Sequence, residues 1–108
     1  MAIVRVALAR QLAYAITAEE RAACRGRGRW WTEREEAHAT ARSQLAAEAA
    51  AAPAMALCAR CPVLDDCRSL AELDAYTGLS AGAAYVGGVA RPTGRLRTDR
   101  VPVGQRAG

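Results

Sequence analysis

Three observations predict an all-α protein, a small helical domain. Val4, Leu8, Leu12 and Ile16 recur every four residues, the spacing that gathers apolar side chains on one side of a helix. Two capping-box patterns, T-A-E-E from Thr17 to Glu20 and T-E-R-E from Thr32 to Glu35, mark helix starts. No stretch of useful length alternates apolar and polar residues as a half-buried strand would.

Taken in order, the first stripe predicts a helix over residues 4–16, inside an N-terminal helical extension of residues 1–18. Thr17 opens a short helix running into Cys24, at the start of a central domain over residues 19–90. RGRGR, Arg25 to Arg29, reads as a glycine-loosened loop, followed by the pair Trp30 and Trp31. From Thr32 to Ala52 the chain is alanine-rich and strongly helix-prone. Leu45 is the one large apolar residue there, so the segment reads as a spacer helix held by propensity rather than burial and stopped by Pro53. Pro62 suits the first turn of a further helix, with Val63, Cys67, Leu70 and Leu73 or Asp74 on one face and Gly78 as its end. The glycines of TGLSAGAAYVGG, Thr77 to Gly88, are read as forbidding a regular element and favouring a tight turn. Residues 91–108, with Pro92, Gly94, Pro102 and Gly104, complete the chain as a flexible basic tail.

The length of 108 residues allows one small domain. The apolar fraction of 52% is largely alanine; only eighteen residues are Leu, Ile or Val, and Phe is absent. A domain this short and this poor in bulky side chains usually needs a covalent or metal staple. All fifteen basic residues are arginines, and the net charge of +4 is uneven. Arg25, Arg27 and Arg29 form one basic knot, and Arg91, Arg95, Arg97, Arg100 and Arg106 form another against the single Asp99. A basic end on a small domain is the usual footprint of a nucleic-acid partner. Arg5 and Arg10 interrupt the apolar N-terminus, so no run approaches the roughly 7–15 residues of a signal-peptide core or the ~20 of a membrane span. The expected location is cytoplasmic, with no membrane association, and in that compartment thiols stay reduced.

Three of the four cysteines fall within CARCPVLDDC, Cys58 to Cys67, and the fourth, Cys24, lies upstream. C-x2-C brings two thiolates together around one turn of backbone, as a tetrahedral metal or one edge of an iron-sulfur cube requires. Zinc fingers and ribbons generally add a second knuckle or a histidine pair, whereas here Cys24 and Cys67 lie to either side of a single knuckle. His38, the only histidine, reads as a solvated side chain on a polar helix. The pattern points to one [4Fe-4S] cluster on Cys24, Cys58, Cys61 and Cys67, with a four-cysteine zinc site as the alternative. Four thiolates on a doubly positive core leave about two negative charges, and Arg25, Arg60 and Arg68 stand next to ligands to offset them.

With RAACRG at Arg21 to Gly26, the C-x2-C-P-V-x4-C run from Cys58 to Cys67 and a glycine turn ending in Gly87 and Gly88, residues 20–92 resemble the WhiB-like iron-sulfur transcription regulators of actinobacteria and their phages. The resemblance implies a helical fold wrapped around the cluster, docked onto the C-terminal domain of the principal sigma factor of RNA polymerase. Trp30 and Trp31 stand where the family carries an aromatic pair, and are expected at that partner surface or in the core. The family's turn reads G-V/I-W-G-G, whereas this chain has Ala84, Tyr85, Val86, Gly87 and Gly88. Valine replaces the expected tryptophan, so Tyr85 and Val86 with the two glycines are the expected partner contacts at this turn.

These readings converge on a non-enzymatic transcription regulator, acting as a monomer in a complex with a sigma factor. The cluster is expected to staple the fold, either as a structural group alone or also as a sensor of oxygen or nitric oxide, while Arg91, Arg95, Arg97 and Arg100 contact promoter DNA. The rivals are a structural zinc module with a basic tail and a thiol-disulfide oxidoreductase using Cys58 and Cys61.

Overall fold

In the computed structural model, residues 22–97 and 102–104 are described; the expected helix over 4–16 and the Thr17 capping box lie outside them. Three helices, α1 (Gly28–Ala39), α2 (Gln44–Ala59) and α3 (Leu64–Leu73), precede three strands, β1 (Gly78–Ser80), β2 (Ala83–Val86) and β3 (Val89–Arg91). The strands form one antiparallel sheet in the order β1-β2-β3, so the all-α expectation is corrected to a helical layer with a small sheet.

The long helix expected from Thr32 is two helices. The first begins a turn earlier, with Arg27 as its N-cap, and Thr32 instead back-bonds through its hydroxyl to the Gly28 carbonyl at 3.0 Å. The chain breaks at Thr40, and Ser43 restarts it as N-cap, its hydroxyl accepting from the Ala46 N–H at 3.1 Å. Pro53 lies inside α2 rather than ending it. Its missing N–H forfeits one helical bond to the Ala49 carbonyl, and packing along the opposite face compensates.

That packing also corrects the spacer reading of the alanine run. Ala47, Ala51 and Ala54 have no exposed surface, and with Leu57 and Cys58 they form one face of α2 against α1 and β1. Small side chains let the backbones approach closely, so the alanines themselves are the core. Leu45 points outward, 77% exposed. Trp30, Trp31 and Met55 pack around Ala51, Ala54, Leu79 and Ala84, supplying the bulk that the alanines lack.

Pro62 precedes α3 by two residues, and Asp65 and Asp66 occupy the first turn, where carboxylates complement the helix dipole. The helix ends at Leu73, before Gly78: Ala75 turns left-handed at φ 50 and Tyr76 N–H reaches back to the Ala71 carbonyl at 2.9 Å. A second cluster, Ala71, Tyr76, Ala81 and Tyr85, packs against Leu64 and Cys67 from α3.

The glycines read as breakers are what allow the sheet. Both hairpins turn on two residues at positive φ, Ala81 (46) and Gly82 (75), then Gly87 (56) and Gly88 (85). Such turns match the twist of paired strands. Thr77, fully buried, accepts the Gly87 N–H on its hydroxyl at 2.9 Å, and Gly88 N–H donates to the Tyr76 carbonyl at 2.9 Å, so the second turn is tied down from beneath.

The boundary expected at residue 91 falls inside β3. Beyond it, the buried His38 ring donates from Nε2 to the Thr93 carbonyl at 2.7 Å, and Gly94 packs against Gln44 and Glu48. His38 is therefore an anchor for the segment after β3, not the solvated side chain expected. Farther along, Gly104 N–H donates to the Thr77 carbonyl at 2.5 Å.

Candidate metal centre

All four cysteines line a single cavity of about 830 Å³ between the helices and the β1–β2 turn. Cys24 arrives on the turn before α1, held by Arg25 N–H to Ala22 carbonyl at 3.1 Å and Arg27 N–H to Cys24 carbonyl at 3.0 Å. Cys58 is the penultimate residue of α2, and Cys61 follows in the connecting turn with its N–H on the Cys58 carbonyl at 3.0 Å. Cys67 sits in the first turns of α3, its N–H bonded to the Val63 carbonyl at 2.9 Å. The C-x2-C spacing thus straddles a helix end, which lets the two thiols face the same space.

No cysteine is in a disulfide. Burial, opposed by the Gly82 backbone N–H and reinforced by the neighbouring thiols, pushes the Cys58 thiol up to about 11. Burial, with Cys67 and then Cys61 nearby, also raises Cys24. Each of these thiols therefore feels the others' charge, and the pocket favours their neutral forms. The same shift is opposite to that of a nucleophilic C-x2-C cysteine, whose thiol is lowered.

The donor set and its surroundings bear on what would fit. A single zinc ion draws its sulfurs to about 2.3 Å from one point. Among the described residues no group of three or more Cys, His, Asp or Glu side chains is placed to hold a metal ion. All four cysteines line this one cavity, which also has apolar walls from Leu57, Val63 and Leu79. Four cysteines match in number a group that takes one thiolate per iron. Polar support comes from the Ser80 hydroxyl, 3.0 Å from the Cys67 sulfur.

The rim is fixed by a buried carboxylate. Glu35, 4% exposed, does not reach back to cap its own helix; it accepts from the Tyr76 hydroxyl and, at 2.7 Å, from the Leu79 N–H, tying α1 to the entry of β1. Trp31 adds a second tie, its indole N–H donating to the Leu79 carbonyl at 2.9 Å. Sequence reading missed Glu35, Ser43, Thr77 and Ser80. For Glu35 the only signal is a carboxylate four residues after Trp31, on the same face of α1, and the capping pattern offers another use for it.

The expected partner contacts separate. Trp30 and Trp31 are half-buried, their rings tilted at 58° with centroids 6.1 Å apart, and Arg27 lies over Trp30 at 5.9 Å. Tyr85 is 2% exposed and belongs to the core, so it does not present the surface expected of it. Burial raises its phenol, with Glu72 adding to the shift and Arg68 opposing it. Arg68 is turned toward Tyr85 and Asp65, 3.6 Å away, rather than kept for the cavity. Val86 is half-buried, Gly87 is exposed, and Val89 beside them is 62% exposed. Of the expected DNA contacts, Arg95 is exposed, Arg91 and Arg97 are half-buried, and Arg100 lies outside the described residues. Among the described residues no helix is long and apolar enough to cross a membrane. Comparison with family models, curated proteins and solved structures yields no match.

Proposed function

We propose that this chain is a non-enzymatic iron-sulfur transcription regulator. A [4Fe-4S] cluster on Cys24, Cys58, Cys61 and Cys67 staples the fold, the folded surface binds the C-terminal domain of a sigma factor, and the arginine-rich end adds affinity for promoter DNA. The observation that carries the reading is that four free cysteines, separated by as many as 43 positions, line one cavity with room for more than a single ion. When bound, the cluster supplies cationic charge to four thiolates and covalent links between the first turn, α2 and α3. The chain's own residues do the rest. Leu57, Val63 and Leu79 keep water from the cavity wall, Glu35 and Trp31 hold α1 against β1, and Arg95 offers phosphate contacts whose strength depends on salt. The sigma-factor partner rests on the family resemblance.

Anaerobic purification followed by visible absorption, iron and acid-labile sulfide analysis, and admission of air tests the centre. Brown protein with about four irons and four sulfides per chain that bleaches in air is the expected result. Colourless protein with one stable zinc would replace the reading by a structural zinc module. Sigma-factor pull-down with all four cysteines changed to serine tests the coupling: undiminished binding would sink it.

A further inference from the structure

The β1–β2 turn brings more polar groups to the cysteine cavity than a hairpin needs. Ser80, the last residue of β1, is 7% exposed, and its hydroxyl oxygen lies 3.0 Å from the Cys67 sulfur. Gly82, two residues on, completes the turn at φ 75. Ala81 between them stands at φ 46, a conformation that side chains other than Gly, Asn and Asp rarely adopt. The usual residue at this position of a two-residue hairpin is Asn, Asp or Gly. Ala81 is itself buried and lines the cavity, so a polar side chain there would enter the apolar wall. The sequence keeps the strained backbone and the apolar methyl together, as strained residues at functional sites do.

We propose that this turn is the outer shell of the metal centre and that Ser80 is its positioning residue: its hydroxyl hydrogen-bonds the Cys67 sulfur and so sets how firmly Cys67 stays a ligand and how readily the cluster takes an electron. The inference rests on the iron-sulfur reading above. A ligating thiolate carries no proton, so the hydroxyl must be the donor. A donor to sulfur withdraws negative charge, favours the more negative reduced state and thereby raises the reduction potential. It also lowers the basicity of the sulfur and slows its protonation and departure. Ser80 does this from a strand whose other neighbours are fixed, with β1 paired to β2 and Leu79 bonded on both sides by Glu35 and Trp31. The hydroxyl is therefore held in place rather than free to follow the sulfur.

The test compares the full-length protein with Ser80→Ala and Ser80→Thr, all purified anaerobically with the cluster in place. Spectroelectrochemistry gives the midpoint potential, and loss of visible absorbance in excess EDTA gives the rate of cluster release. Far-UV circular dichroism checks the fold. Expected are a more negative potential and on the order of tenfold faster release in Ser80→Ala, with Ser80→Thr near wild type because the hydroxyl is retained. A Ser80→Ala protein that folds but holds no cluster, beside a brown Ser80→Thr, supports the proposal in stronger form. Equal potentials and release rates in wild type and Ser80→Ala overturn it while leaving the cluster intact. Equal changes in both variants overturn it as well, because they would assign the effect to packing. A colourless wild type would instead remove the reading on which it rests.

Discussion

Adding one methyl at Gly88 and one at Gly87 separates packing from partner contact at the turn the family resemblance points to. Both residues have positive φ, so alanine at either carries a backbone cost of roughly 1–2 kcal/mol. Their surroundings differ. A Cβ at Gly87 meets nothing within 4 Å, whereas one at Gly88 would lie 2.9 Å from the Glu72 carbonyl oxygen and 3.0 Å from the Ala75 Cα, both backbone atoms at the end of α3. Neither neighbour can swing aside, so Gly88→Ala adds an overpacking cost of about 1–3 kcal/mol. The expected losses are about 1 kcal/mol for Gly87→Ala and about 3 kcal/mol for Gly88→Ala. In a domain of this size that is roughly a 5 °C against a 15–20 °C fall in Tm. Thermal unfolding followed by far-UV circular dichroism, with all proteins in the same metal state, reads the difference. Losses equal within about 0.5 kcal/mol would show that the turn does not lie against α3 as described.

Three further outcomes follow from the site. Glu35→Ala leaves the Tyr76 hydroxyl and the Leu79 N–H buried without their acceptor and should cost about 3 kcal/mol in urea unfolding, with Glu35→Gln intermediate because one oxygen remains; a loss below 1 kcal/mol would contradict the tie between α1 and β1. Trp31→Phe keeps the ring packing but loses the bond to Leu79, for about 1 kcal/mol, while Trp31→Ala should cost about 3–5 kcal/mol, whether or not a partner is present. In metal-free protein Cys58, at about 11 against an ordinary 9.0, has about a hundredfold less thiolate at pH 8 than an unperturbed thiol, and iodoacetamide should modify it correspondingly slowly. Because the folded value is the raised one, the stabilisation it contributes is present below pH 9.0 and lost as pH rises from there through about 11. Modification of Cys58 at the rate of a free thiol would refute its burial.

How far the fold was legible depended on what each residue type signals alone. The four cysteines stood out in the sequence by their spacing, C-x2-C with one cysteine on either side, and all four line one cavity. Pro53 misled because a proline inside a helix forfeits only one bond and an all-alanine face with no exposed surface makes up for it. The sheet was missed because its strands are three or four residues long and two of them are buried on both faces, leaving no alternation to detect. Its signal was in the turns: a two-residue Gly-Gly loop between Val86 and Val89 is hairpin chemistry, and glycine counted only as a breaker hides it. Tyr85 was placed at the surface because it adjoins that turn; its register opposite Gly78 and Ala90 shows why it is instead enclosed.

The sheet also changes what the cysteines are attached to. Cys58 and Cys67 lie on α2 and α3 and Cys61 in the turn between them, an arrangement that by itself would let these cysteines move with the two helices. The hairpin supplies the other wall: Ser80 meets the Cys67 sulfur, Glu35 and Trp31 bind Leu79 from α1, and Gly87 and Gly88 tie the second turn to Thr77 and Tyr76 in the segment after α3. On the proposed iron-sulfur reading, release of Cys67 from the cluster would loosen a contact to β1 as well as to a helix. The exposed Gly87 and Val89 sit one strand away from that contact. If the surface around this turn is where a partner docks, the state of the cysteines reaches it through three short strands rather than through a long helix. Ser80→Ala should then weaken partner binding in proportion to cluster loss, and not before it.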